Sequence, residues 1–299
     1  MKILLVSPIR NTPGDPHWHW LKALKQLKHR VELFPLTGRF KWLNSWRLKQ
    51  VISRFQPEEI FFSAGRDAVG PISKTVFFCG VPPAWLSPTE RRIGLAAKLV
   101  VVNDSGHAAN WRRLGAKSVV NLPISGVDHG VFKAAKSKRT VPVSFVGSLF
   151  ANRQQQLADI VRLYPELKIW GWLPPGVNLL SQLKANYQGE AWGAKVGRIY
   201  GRSLIGLNLS PVHMKDGGNI RPFEIAGAGA LLLTDQFNPD WWLSGREAIV
   251  FRSARDCADK ITYYLAHPDQ RQKLAAKGLS KVRREHTYRH RFTKLKQYL

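Results

Sequence analysis

The chain has 299 residues, 44% of them hydrophobic; that suffices for two domains of about 150 residues each and excludes a disordered polypeptide. Its two cysteines, Cys79 and Cys257, lie far apart without CxxC spacing, which excludes a disulfide framework and a structural zinc cluster and fits a reducing cytoplasm. Against 20 Asp and Glu stand 46 Lys and Arg, a formal charge of +26; such a field draws in the phosphates of nucleic acid, anionic lipid or nucleotide without choosing among them.

In chain order, "KILLVSPI" reads as a buried strand, and no apolar run approaches the roughly 18 residues of a membrane span. A cytoplasmic protein is expected, able to lie against a polyanionic surface, either an anionic membrane face or a phosphate-rich glycan. The loop "RNTPGDP" follows, where Gly14 is either a point of close approach for donor or acceptor or a plain turn glycine. "HWHWLKALKQLKH" has helical spacing and leads into the strand "RVELFPL". His17 is a candidate acceptor or phosphate contact, and the alternative for it and for His19 is a satisfied surface histidine. Positions two apart on a helix do not share a face, which argues against a two-histidine metal site.

Residues 38–56 read as a basic helix with Phe40, Leu48, Val51 and Phe55 on one face and Trp42, Trp46 and Lys49 on the other. Tryptophans beside cations suit a membrane interface or a stacking surface, so Trp42 and Trp46 are acceptor-side candidates; the alternative is packing on a neighbouring loop. "EEIFFSAG", "TVFFCG", "KLVVVND" and "SVVNLPI" are further short apolar strands with helical patterns among them. Strands alternating with crossovers imply a parallel sheet covered by helices.

The pattern lapses at "SGVDHGVFKAAKSKRTVP" and restarts with "PVSFVGSL", "QQQLADIVRLY", "LKIWGWL", "GRSLIGLNLS", "ALLLTD", "EAIVFRS" and "DCADKITYYLA". The predicted division is therefore a Rossmann-like domain over 1–125, a linker over 126–141, a second Rossmann-like domain over 142–285, and a basic terminal helix over 286–299 that can cross back to the first domain. "FNPDWW" offers an aromatic pair for a base or for the core.

One stretch carries chemistry, "DGGNIRPFEIAGAGALLLTD" from Asp216. It follows the strand "LIGLNLS" and enters a helix, so Gly217 and Gly218 fall at a strand's carboxyl end, where open parallel sheets bind ligands. Glu224, one turn inside the helix, is placed to accept hydrogen bonds from a ribose, and Asp216 from a second sugar. A plain loop followed by a helix-start acid satisfies the same spacing. There is no Asp-x-Asp pair and no His-rich set, and no metal or cofactor is expected.

The same residues carry a resemblance. The "N-x-R-x-F-E-x-x-x-x-G" core, the "LLLTD" strand, the "YYLAHPDQR" helix and the "HTYRHR" tail, within about 205–299, are similar to the group 1 retaining GT-B glycosyltransferases, in the spore-maturation-protein-B-like branch. "LGAKSVVNLPISGVDHGVF" and "VSFVGSLFANR" echo it more weakly. The resemblance implies an α/β fold of two doubly wound Rossmann-like domains facing across a cleft. It also implies a nucleotide-sugar donor such as a UDP- or GDP-sugar, and transfer with retention. Asp216, Arg153 and Glu224 then act in catalysis. Ser148, Lys215, Gly217, Gly218, Asn219 and Arg221 join those three in binding the donor. The family pairs an Arg with a Lys on the diphosphate; Arg153 matches the Arg, and Arg221 or Lys215 is the candidate to replace the Lys. Asp216 stands where the wider family usually has Glu. The acceptor expected is a cell-envelope or lipid-linked glycan or a surface protein. The alternatives are a nucleic acid acceptor and a sugar-nucleotide-binding protein without turnover.

Overall fold

The structure, a computed structural model, describes residues 1–7, 16–36, 41–63, 74–123, 125–135, 138–242 and 244–299, with the side chains of Pro16, Lys41 and Trp42 outside that description. The chain forms two compact units: Met1–Ser125 with Val212–Gly218 and Tyr288–Leu299, and Gly126–Pro211 with Asn219–Thr287.

In the first unit, β1 (Lys2–Ser7), β2 (Arg30–Pro35), β3 (Glu59–Ser63), β4 (Thr75–Cys79), β5 (Leu99–Val102) and β6 (Val119–Asn121) make a parallel sheet in the order β2-β1-β3-β4-β5-β6. β3, β4 and β5 are buried along their whole length, which is why they read as unbroken apolar runs rather than alternating ones. The helices are α1 (Pro16–Gln26), α2 (Lys41–Phe55), α3 (Pro88–Ala96) and α4 (Ser105–Arg113). Leu48 and Phe55 of α2 are buried, whereas Trp46 is 55% exposed.

The second unit repeats the design. β7 (Val141–Val146), β8 (Lys168–Trp170), β9 (Ser203–Asn208), β10 (Leu231–Thr234) and β11 (Ile249–Val250) form a parallel sheet in the order β11-β10-β9-β7-β8. In both sheets the first strand lies between the second and the third, so the winding reverses there: at β1/β3 in one unit and at β7/β9 in the other. α5 (Ala151–Leu163) and α8 (Ala254–Ala266) cover one face through Leu157, Ile160 and Ile261. α6 (Ala194–Arg202), α7 (Arg221–Gly227) and α9 (Pro268–Glu285) cover the other through Tyr200, Phe223 and Val282.

Two segments depart from the predicted division. The stretch read as a linker belongs to the second unit: Val127 and Phe132 are buried beside Phe223 and Val282, and the Val127 amide donates to the His286 carbonyl at 3.1 Å. Val212–Gly218, assigned by sequence to the second domain, belongs to the first. The terminal helix α10 (Tyr288–Leu295), read from the sequence as able to cross back, packs in the first unit. There Phe292 meets Trp20 at 5.7 Å and Phe61 at 6.0 Å, and Arg291 Nε donates to the Ser125 carbonyl at 2.9 Å. Such contacts join residues more than a hundred positions apart and leave no local signal. No described helix is long and apolar enough to cross a membrane.

Candidate active site

The winding reversal of the second unit is occupied by Arg153. It sits in the first turn of α5, 8% exposed, with its guanidinium over the Phe145 ring. Nη1 donates to the Ser148 carbonyl and Nη2 to the Leu209 carbonyl, each at 3.0 Å. It therefore joins the loop after β7 to the loop after β9. Burial lowers its pKa; Asp235 acts against that shift and Arg221 with it. Among the described residues Arg153 makes no ion pair. A guanidinium held by neutral carbonyls keeps its whole charge in a place poor in water.

Arg221 opens α7 and pairs with Glu224 one turn on, which is 5% exposed. The fully buried Tyr200 hydroxyl donates to the Val146 carbonyl at 3.4 Å. Its pKa is raised first by burial, and Arg221, Glu224 and Arg153 all act on it, so these four side chains form one electrostatic cluster. Beside it, Asn219 Nδ2 donates to Asn208 Oδ1 at 2.7 Å, and Asn208 Nδ2 donates to Thr234 Oγ1 at 2.9 Å. Gly206 lets α7 approach β9: a Cβ there would lie 2.5 Å from Ile225 Cγ2.

Lys215, Asp216, Gly217 and Gly218 are in the first unit, where Asp104 fixes them. Asp104 caps α4, accepting from the Gly106 and His107 amides at 2.9 and 3.3 Å on one oxygen. Its other oxygen accepts from the Lys215 and Asp216 amides at 2.7 and 3.0 Å. Asp216 Oδ2 accepts from the Ser105 amide at 3.3 Å, and Asn103 Nδ2 donates to the Gly218 carbonyl at 2.8 Å. Gly217 has φ 67°, a turn that favours glycine. Burial, then the hydrogen bond and charge of Asp104, push the Asp216 carboxyl up to about 6. Burial is the largest single effect on Asp104 and opposes its ionisation, but hydrogen bonds from Asp216 and Lys215 and the charge of His107 together hold it low. The Lys215 side chain is exposed.

The predicted site residues thus divide between Gly218 and Asn219. Ser148, Arg153, Asn219, Arg221 and Glu224 come together in the second unit; Lys215, Asp216, Gly217 and Gly218 are gathered in the first. His17 Nε2 lies 2.7 Å from Ser63 Oγ, at the end of β3. His19, expected at the surface, is instead buried and stacks on Tyr288 at 5.5 Å. Trp241 and Trp242 are core residues. Gly14 lies outside the described residues, as does the Trp42 side chain. Among the described residues no group of three His, Cys, Asp or Glu could hold a metal ion. Sequence reasoning missed Asp104 and Tyr200; for Asp104 the signal was an acid directly before a helical pattern, the position of an N-cap.

A family model described as glycosyl transferase-like matches residues 131–297. The chain belongs to that family. It is 25% identical over 214 residues to spore protein CgeB of Bacillus subtilis (strain 168), which supports the branch read from the C-terminal motifs. That match spans 65% of this chain and 65% of the relative's length. Among solved structures, Anabaena Alr3699/HepE in complex with UDP and glucose is similar at TM-score 0.68 and 13% identity, over 100% of both chains. A mutant of T4 phage BGT in complex with UDP-glucose is similar at 0.67 and 11%, over 100% of this chain and 97% of that one. A glycosyltransferase from Rickettsia africae ESF-5 gives 0.66 and 13%, over 99% and 97%. At these identities the likeness establishes the fold, which is GT-B.

Proposed function

We propose that this chain transfers a sugar from a nucleotide-diphosphate sugar to an acceptor, with retention and without a metal ion. The carrying observation is Arg153, a buried cation with no carboxylate bound to it, set where the sheet of the second unit reverses its winding. Departure of a nucleoside diphosphate builds negative charge on oxygen, and fixed cations in a water-poor site stabilise that charge. Arg153 and Arg221 supply those cations, while Glu224 takes the ribose hydroxyls. UDP or UDP-glucose in the Anabaena and T4 proteins supports a donor of this class.

The acceptor in this reading is a cell-envelope or lipid-linked glycan, reached from the cytoplasmic side, with the charge of +26 holding the protein to an anionic surface. The same charge favours a second reading, a nucleic acid acceptor. The test offers UDP-, GDP- and ADP-sugars and follows nucleotide release, with and without EDTA, then adds anionic liposomes or DNA and tRNA. Release that survives EDTA and rises with one class of acceptor is expected. Nucleotide affinity unchanged in Glu224→Ala would sink the assignment.

A further inference from the structure

The second unit carries another pair of arginines. Arg139 donates through Nη1 to the Ser203 carbonyl at 2.6 Å and the Tyr200 carbonyl at 3.2 Å, and through Nη2 to the Ala228 carbonyl at 3.1 Å. Arg271, in the first turn of α9 and 6% exposed, donates through Nη1 to the Tyr264 and Leu265 carbonyls at 2.6 and 3.2 Å. Neither makes an ion pair among the described residues. Burial, and after it the charge of Arg271, lowers the Arg139 pKa, so the two guanidiniums feel each other. Both line one cavity of about 280 Å³, with Gly229, Gln272, Ala276 and Leu279 around it.

A purely structural role explains part of this. Arg271 caps the carboxyl end of α8, and Arg139 ties the start of β9 to the end of α7. Carbonyls, however, contribute partial charges only. Two like charges drawn from water into one cavity need a counter-charge, and the described residues supply no carboxylate to either. The Nε donors of both residues and Nη2 of Arg271 make no hydrogen bond among the described residues.

We propose that this cavity is an oxyanion site that takes a phosphate group, as the free ion or on a small phosphomonoester. Two guanidinium forks match tetrahedral phosphate oxygens, and the volume falls at the lower edge of ligand pockets, too small for a nucleotide. Arg139 engages Ser203, the first residue of β9, whereas Arg153 engages Leu209 beyond its last. Six extended residues span about 20 Å, so this ligand is separate from whatever Arg153 holds, and the inference does not rest on the transferase reading.

Calorimetric titration of the full chain at constant ionic strength, with phosphate, glucose 6-phosphate, sulfate and acetate, tests it. One saturable site is expected, preferring phosphate or its ester to acetate. Affinity should fall about tenfold or more in Arg139→Gln. It should fall likewise in Gln272→Glu, which brings a carboxylate to the rim while leaving every arginine–carbonyl bond in place. Tighter binding of the ester would assign the source to a phosphorylated metabolite, and equal or tighter binding of phosphate to the free ion. Unchanged affinity in Gln272→Glu, loss of binding in Arg153→Gln, or acetate binding as well as phosphate would each overturn the proposal.

Discussion

Asp104 accepts from the Asp216 amide at 3.0 Å, one acid capping α4 and the other carried to it by a segment more than a hundred residues further along the chain. Burial and the neighbouring Asp104 push the Asp216 carboxyl up to about 6, so between about pH 4 and 6 it keeps a proton that an isolated carboxyl would have released.

A pH dependence follows. Stability from a carboxyl whose folded value is raised is complete below the ordinary value of 3.8 and is lost as pH rises through about 6. Asp104, held low, contributes with the opposite sign, and its part is lost only as pH falls below the ordinary carboxylate range. His29 and His107, both lowered first by burial, add stability as pH rises in this range and do so in either chain, so between about pH 5 and 7 the melting temperature of the native chain should fall relative to that of Asp216→Asn. Parallel profiles for the two chains would refute the raised Asp216 carboxyl.

At Arg153, charge and geometry can be separated. Arg153→Lys keeps the cation but lacks the planar fork whose two nitrogens reach the Ser148 and Leu209 carbonyls. Arg153→Gln should lower kcat/KM for a nucleotide-sugar by about 10²–10³, and Arg153→Lys should recover only part of that. Full recovery in the lysine variant would show that the bridge between the loops is dispensable.

The seat of α7 is open to a stability measurement. Gly206→Ala would force its methyl against Ile225, and overpacking of this kind costs about 1–3 kcal/mol. Denaturant unfolding should show a lower midpoint with an unchanged slope. A loss under about 0.5 kcal/mol would mean that the helix shifts freely.

The strands were legible because the sheets are buried on both faces: "LVVV" of β5 and "LLLT" of β10 have no polar face to hide them. Glu224 was singled out because parallel sheets bind ligands beyond the carboxyl ends of their strands, whereas Arg153 and Arg221 entered only through the family resemblance. The position of Asp216 was not, since its partners Asp104 and Ser105 lie on α4 and its cap, far away in sequence. His19 departs from expectation because its cover, Tyr288, arrives from the last helix. Local pattern reports what a segment buries, and the partner against which it is buried comes from the rest of the chain.

The arginine bonds at the two ends of β9 make that strand a tie rod, anchored at Ser203 by one guanidinium and beyond Asn208 by another. Neither end can fray by trading its carbonyl to water. Deuterium should accordingly enter the amides of Leu204–Asn208 last in that unit, only when the unit opens as a whole.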